Sequence, residues 1–185
     1  MKKRSEADSK YTWKLEDMVA EDSQWEQMFK EAAGEIGEYA SYKGRLADSA
    51  DTLYACLSFD DRLSQKIERL YVYARMRSDE DTTVQRYQDM FSRAQTLSYR
   101  AAENSSFLVP EILSMDRELL EQYMAADNGI GHFKRALEII LARRDHTLSG
   151  EMEELLAQSY DATQGASQIF TMFNNADVKF PVITG

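Results

Sequence analysis

Six apolar residues, Cys56, Phe59, Leu63, Ile67, Leu70 and Ala74, follow one another at steps of 3, 4, 4, 3 and 4. The average step is 3.6 residues, one turn of an α-helix, so all six side chains share a face that must be covered. Ser49 is placed to cap this helix near Ala50. The pattern gives way at Ser78-Asp79-Glu80-Asp81, and Thr82 or Thr83 can cap a further helix carrying Val84, Tyr87, Phe91, Ala94, Leu97 and Ala101 on one face. Two long amphipathic helices joined by a short polar turn predict an antiparallel hairpin.

The flanking segments follow from this hairpin. Upstream, Tyr11-Thr12-Trp13-Lys14-Leu15-Glu16 alternates apolar and polar side chains and reads as a lead-in whose Trp13 and Leu15 are pinned onto the helices. Asp22 or Ser23 can cap a helix with Trp25, Met28, Phe29, Ala32, Ile36 and Tyr39 inward, and Ser41-Tyr42-Lys43-Gly44 ends it. Downstream, Pro110 predicts an end or kink near Phe107, and a change of architecture is expected around Ser114. Leu119, Leu120, Tyr123 and Met124 mark one shorter helix, broken at Asn128-Gly129-Ile130-Gly131. Phe133, Ala136, Leu137, Ile140 and Leu141 mark another that ends at Arg143-Arg144. Ser149 can cap a helix with Leu155 and Leu156 inward, Gly165 interrupts it, and Ile169, Phe170 and Phe173 belong to a last short one.

The chain closes on Asp177-Val178-Lys179-Phe180-Pro181-Val182-Ile183, an extended strand for which no other segment offers a pairing partner. The fold class expected is all-α: a long antiparallel hairpin, then shorter helices, then one terminal β-strand. Two regions are expected, 1–113 and 114–185, and the unpaired strand reads as leading toward a domain that this chain lacks.

Charge removes some functions. Twenty-two basic against 32 acidic residues leave a net charge of −10, interspersed along the chain, which disfavours nucleic acid and anionic membrane faces. Met1-Lys2-Lys3-Arg4 is followed by Ser5-Glu6-Ala7-Asp8 where a secretory signal would need an apolar stretch, and no run is apolar enough to span a bilayer. The lone Cys56 lies on the apolar stripe and reads as a buried small hydrophobe in a reducing cytoplasm.

Candidate chemistry is sparse. His132 and His146 are fourteen residues apart, and neither lies in an HExxH sequence that would bring two imidazoles and a glutamate to one zinc. Gly129 and Arg143 occupy the positions three before them, so the Glu-x-x-His pairing of carboxylate-bridged metals is absent. Glu151, Glu153 and Glu154 suit a helix start through the macrodipole. The scattered glycines form no phosphate-cradling loop. Of the aromatic residues, Tyr71, Tyr73, Tyr87 and Tyr99 have hydroxyls that could face a cleft. No catalytic, cofactor-binding or metal-binding residue is assigned.

Several strings nevertheless occur in a telling order. They are Tyr11-Thr12-Trp13-Lys14-Leu15-Glu16, Ser41-Tyr42-Lys43-Gly44, Glu68-Arg69-Leu70-Tyr71-Val72-Tyr73-Ala74 running to Asp79-Glu80-Asp81-Thr82-Thr83, and Pro110-Glu111-Ile112-Leu113. Arg144-Asp145-His146-Thr147-Leu148-Ser149, Glu154-Leu155-Leu156-Ala157 and Phe173-Asn174-Asn175-Ala176-Asp177-Val178-Lys179-Phe180-Pro181 complete the series. Together they resemble the amino-terminal half of oligoendopeptidase F, among the thimet-oligopeptidase-like zinc metallopeptidases. The resemblance implies a clam-like, largely helical enzyme that admits short peptides to a channel and holds one zinc in a catalytic domain absent from this chain. It implies that this chain confines substrate as a channel wall, is inactive alone and binds no zinc. The other reading is a stand-alone helical module that binds a peptide or partner helix. The unpaired apolar strand favours the enzyme part over the module, since a finished module would not leave such an edge.

Overall fold

The computed structural model describes residues 8–126, 128–143, 152, 169 and 170. Among these lie α1 (Asp22–Glu35), α2 (Ala50–Glu80), α3 (Gln85–Ser105), α4 (Leu108–Ser114), α5 (Arg117–Met124) and α6 (Lys134–Ala142). Short 3-10 turns occupy Leu15–Asp17, Ile36–Ser41 and Ile130–Phe133. The described architecture is all-helical, as expected. The chain divides into two units, Met1–Ala142 and Arg143–Gly185. All six helices belong to the first.

Ser49 caps α2: its hydroxyl oxygen accepts the Thr52 N–H at 3.1 Å. All six residues of the apolar stripe are buried, and Leu53 and Tyr73 join them. The Phe, Leu and Ile side chains among them each contribute roughly 1.5–3 kcal/mol by leaving water, which makes α2 the spine of the core. From α3, Met90, Ala94 and Leu97 are buried, and the ring of Phe91 meets that of Tyr71 edge-on at 5.3 Å. This packing closes the expected hairpin. Helix α1 lies against α2, burying Trp25 and Ala32, and the Trp25 indole N–H donates to the Leu70 carbonyl at 3.0 Å. A buried indole needs such a partner.

The ends differ in detail from the sequence reading. Helix α2 continues through Glu80, and neither Thr82 nor Thr83 caps α3. The carboxylate of Asp81 instead accepts from both the N–H and the hydroxyl of Thr83, at 2.9 and 2.6 Å, forming a turn of its own. At α1 neither Asp22 nor Ser23 caps; Glu21 holds the extended N-cap position, and Gln24 Oε1 accepts the Ala20 N–H at 2.8 Å. In the lead-in, Leu15 is buried as expected, whereas Trp13 is 77% exposed. The 3-10 turn at Leu15–Asp17 ends the alternation that would have put both residues on one side. Ala136 is likewise exposed on α6, which buries Leu137 and half-buries Ile140 and Leu141.

Pro110 stands in the first turn of α4, where its missing N–H leaves no hydrogen bond unmade, and α3 has already ended at Ser105. Near Ser114 the chain turns sharply, with Met115 extended and Asp116 capping α5 by accepting from the Glu118 and Leu119 N–H groups. Gly129 has φ of +91°, and a Cβ there would lie 3.0 Å from the Tyr54 ring. Both the left-handed backbone and the close ring call for glycine. The expected strand at Asp177–Ile183 lies outside the described residues.

Candidate functional site

Of the residues with potential chemistry, His132 lies exposed in the 3-10 turn after Gly129, edge-on to the Phe133 ring at 5.1 Å. His146, Glu151, Glu153 and Glu154 lie outside the described residues. Cys56 is fully buried, and burial, with the charges of Asp60 and Glu111 adding to it, pushes its thiol up to about 12. Such a thiol is overwhelmingly neutral at physiological pH, which disfavours nucleophilic chemistry. Among the described residues no three His, Cys, Asp or Glu side chains gather as a metal would require. The described residues therefore do not fit a zinc ion, and no chemical step through one is derived from them.

The structure brings three of the four tyrosines to the seam between α2 and α3. Tyr71 packs on Phe91, while Tyr73 and Tyr87 flank the guanidinium of Arg77, whose central carbon lies 5.3 and 5.7 Å from their ring centres. Tyr99 is twelve residues beyond Tyr87 on α3 and 59% exposed, apart from this group. Around Arg77 lies a polar node. Its Nε donates to the Tyr73 hydroxyl at 3.2 Å, Nη1 to Glu80 at 3.2 Å and Nη2 to Glu16 at 3.5 Å. The Tyr73 hydroxyl donates in turn to Asp22 Oδ1 at 3.0 Å, and Arg86 holds Asp22 Oδ2 at 2.9 Å.

Arg77 did not stand out in the sequence, because a charge on a helix is usually solvated, and Asp22 was read only as a possible helix cap. The available signal was helical spacing: Arg77 is four residues after Tyr73 and three before Glu80, so all three meet on one side of α2. A second ion pair joins α1 to α3. Arg93 grips both carboxylate oxygens of Glu26 at 2.7 and 2.8 Å while covering Trp25 and Phe29, whose rings stack at 5.1 Å. That hydrogen bond holds the Glu26 carboxyl below the usual range, burial opposing and the Arg93 charge assisting.

A different arrangement marks the junction of the α1–α2 connection with α4. Glu111 accepts the Gly44 N–H on Oε2 at 2.9 Å and the Leu46 N–H on Oε1 at 2.8 Å. Both oxygens of one carboxylate thus hold a loop more than sixty residues earlier. Beside it lies a depression of about 650 Å³, with Phe107, Pro110 and Met115 giving apolar surface and Lys43, Ser114 and Asp116 polar groups. Its walls can receive an apolar group, and the two carboxylates on its lining, Glu111 and Asp116, already accept backbone N–H groups.

The family described as Oligopeptidase F matches over residues 111–180. Over 180 residues, 97% of this chain, the sequence is 39% identical to Oligopeptidase PepF of Bacillus subtilis (strain 168), covering 27% of that protein. It is 33% identical to Group B oligopeptidase PepB of Streptococcus agalactiae over 97% of this chain and 30% of that protein. The crystal structure of oligoendopeptidase-F from Enterococcus faecium superposes with a TM-score of 0.76 at 30% identity, covering 89% of this chain and 32% of that one. A Chlamydophila abortus structure, at 22% identity and a TM-score of 0.71, shares the fold over 97% of this chain and 30% of its own. The chain thus spans about a third or less of the length of the relatives it matches. In sequence order over nearly its whole length, and in the helical fold of its described residues, the chain thus resembles an amino-terminal portion of oligopeptidase F proteins.

Proposed function

We propose that this chain is the helical, substrate-confining part of a cytoplasmic zinc oligoendopeptidase that hydrolyses short peptides. The observation that carries the reading is the 39% identity to Oligopeptidase PepF over 97% of this chain but only 27% of that protein. The described residues add physical support. They form a helical lobe packed around one buried apolar core, a build suited to a wall. No helix among them is long and apolar enough to cross a membrane. In this reading the wall limits entry to short, unfolded peptides, and the hydrolytic groups, zinc included, come from the rest of the parent protein.

The test is a chimera in which this chain replaces its counterpart in the Bacillus subtilis relative, assayed beside the purified 185-residue chain. The chimera is expected to cleave a short quenched-fluorescent peptide and to spare a long unfolded polypeptide such as reduced casein. A variant lacking the segment should lose that size discrimination. The isolated chain is expected to leave both substrates intact. Chelator-sensitive hydrolysis by the isolated chain, or size discrimination that survives removal of the segment, would refute the proposal.

A further inference from the structure

Arg77 stands where separate stretches of the chain converge. It reaches the lead-in turn through Glu16, the end of α2 through Tyr73 and Glu80, and the start of α3 through the Tyr87 ring. Its side chain is only 19% exposed, although its lead-in partner Glu16 is 54% exposed. A guanidinium so far withdrawn from water needs its partners to offset desolvation. Here they lie on elements up to 61 residues apart in sequence.

The two short segments that Arg77 joins also have anchors of their own. The lead-in turn is held by the buried Leu15 and Val19, with the Met18 and Val19 N–H groups returning to the Leu15 carbonyl. The α2–α3 connection is held by the Asp81–Thr83 turn and by the Val84 N–H on the Asp81 carbonyl, with Asp81, Thr82 and Thr83 exposed. Segments of this kind open locally at less than the global free energy.

We propose that Arg77 is a buckle that makes the lead-in at 15–19 and the α2–α3 connection at 81–84 a single cooperative opening unit. When the guanidinium leaves its place between Tyr73 and Tyr87, it releases Glu16 and Glu80 together, so neither segment opens without loosening the other. The guanidinium plane is essential to this role. A lysine would keep the charge but lose the fork to three oxygens and the stacking on two rings. The proposal is independent of the peptidase reading, because it concerns only interactions within this lobe.

Native-state hydrogen exchange on the full 185-residue chain tests it. The amides of Met18, Val19, Val84 and Tyr87 report the two segments, and those of Leu63 and Leu97 report the spine. Arg77→Lys should raise exchange at all four reporters by about tenfold or more, with Leu63 and Leu97 unchanged. Glu16→Gln, which alters only the lead-in, should also raise exchange at Val84 and Tyr87. A rise confined to Met18 and Val19 in Glu16→Gln would overturn the coupling. So would unchanged reporters in Arg77→Lys, or an equal rise at Leu63 and Leu97, which would mean that the whole lobe is weakened.

Discussion

Along the α2–α3 hairpin, the helices are joined by side chains that exclude water: Leu53, Leu63, Leu70, Ala94 and Leu97 are buried, and Tyr71 meets Phe91 face to edge. The shorter helices also bury apolar side chains, Ile112, Leu120, Ile130 and Leu137 among them, and to these they add single polar side chains that grip backbone or one another. Glu111 holds the Gly44 and Leu46 N–H groups, the Tyr123 hydroxyl donates to the Ala47 carbonyl at 2.8 Å, and Asn128 bridges to Asp51 at 2.8 Å. Apolar area is roughly additive and non-directional, so it stabilises the pairing of helices without fixing loop geometry. A hydrogen bond contributes little net energy but has a direction, and it is costly to leave unmade. The hairpin draws chiefly on area, whereas the shorter helices set directed bonds on top of theirs.

Substitutions can break this contrast. The largest effect is expected at Leu63, where truncation to alanine should leave a cavity in the spine and cost roughly 2–5 kcal/mol. Urea unfolding should show a lower midpoint for the entire lobe. Glu111→Ala should cost less, about 1–3 kcal/mol, through two amides left without an acceptor. Its signature is local: exchange should rise at Gly44 and Leu46 while Leu63 stays protected. Equal protection loss in both variants would abolish the distinction between the two regions.

The smallest effect sharpens the comparison through pH. Arg93 holds the Glu26 carboxyl below its ordinary value, so the charged form favours the folded state. This stabilisation is present above the unfolded carboxyl pKa of about 4.3 and is lost as pH falls through the lower folded value. The pair is 42% and 36% exposed, and solvent screening limits it to under about 1 kcal/mol. Glu26→Gln should therefore be slightly less stable than the parent sequence at pH 7, and the gap in urea midpoint should close as the solution is acidified below about pH 4.3. A gap that widens on acidification would show that the pair is not stabilising.

The same division explains what the sequence could disclose. The stripe from Cys56 to Ala74 was legible because a period of 3.6 persists over five steps, and every residue in it proved buried. Ser49 was legible because a cap acts three residues away. The lead-in was half legible: alternation implied a common side for Trp13 and Leu15, but a 3-10 turn separates them. Glu111 was not legible as a clamp, since nothing near Pro110-Glu111-Ile112 announces a loop some 65 residues earlier. Arg77 was missed although Tyr73 and Glu80 lie at helical spacing from it, and its partner Glu16, on another segment, gave no local signal. The resemblance to oligoendopeptidase F came from the order of short strings spread along nearly the whole chain.

The position of Cys56 has a practical consequence. It is the only thiol in 185 residues, fully enclosed on α2, and its high pKa leaves almost no thiolate at neutral pH. A water-soluble alkylating reagent can reach it only when α2 parts from its neighbours. The protein therefore carries a built-in chemical clock, and the rate at which this sulfur is labelled times the opening of its own spine.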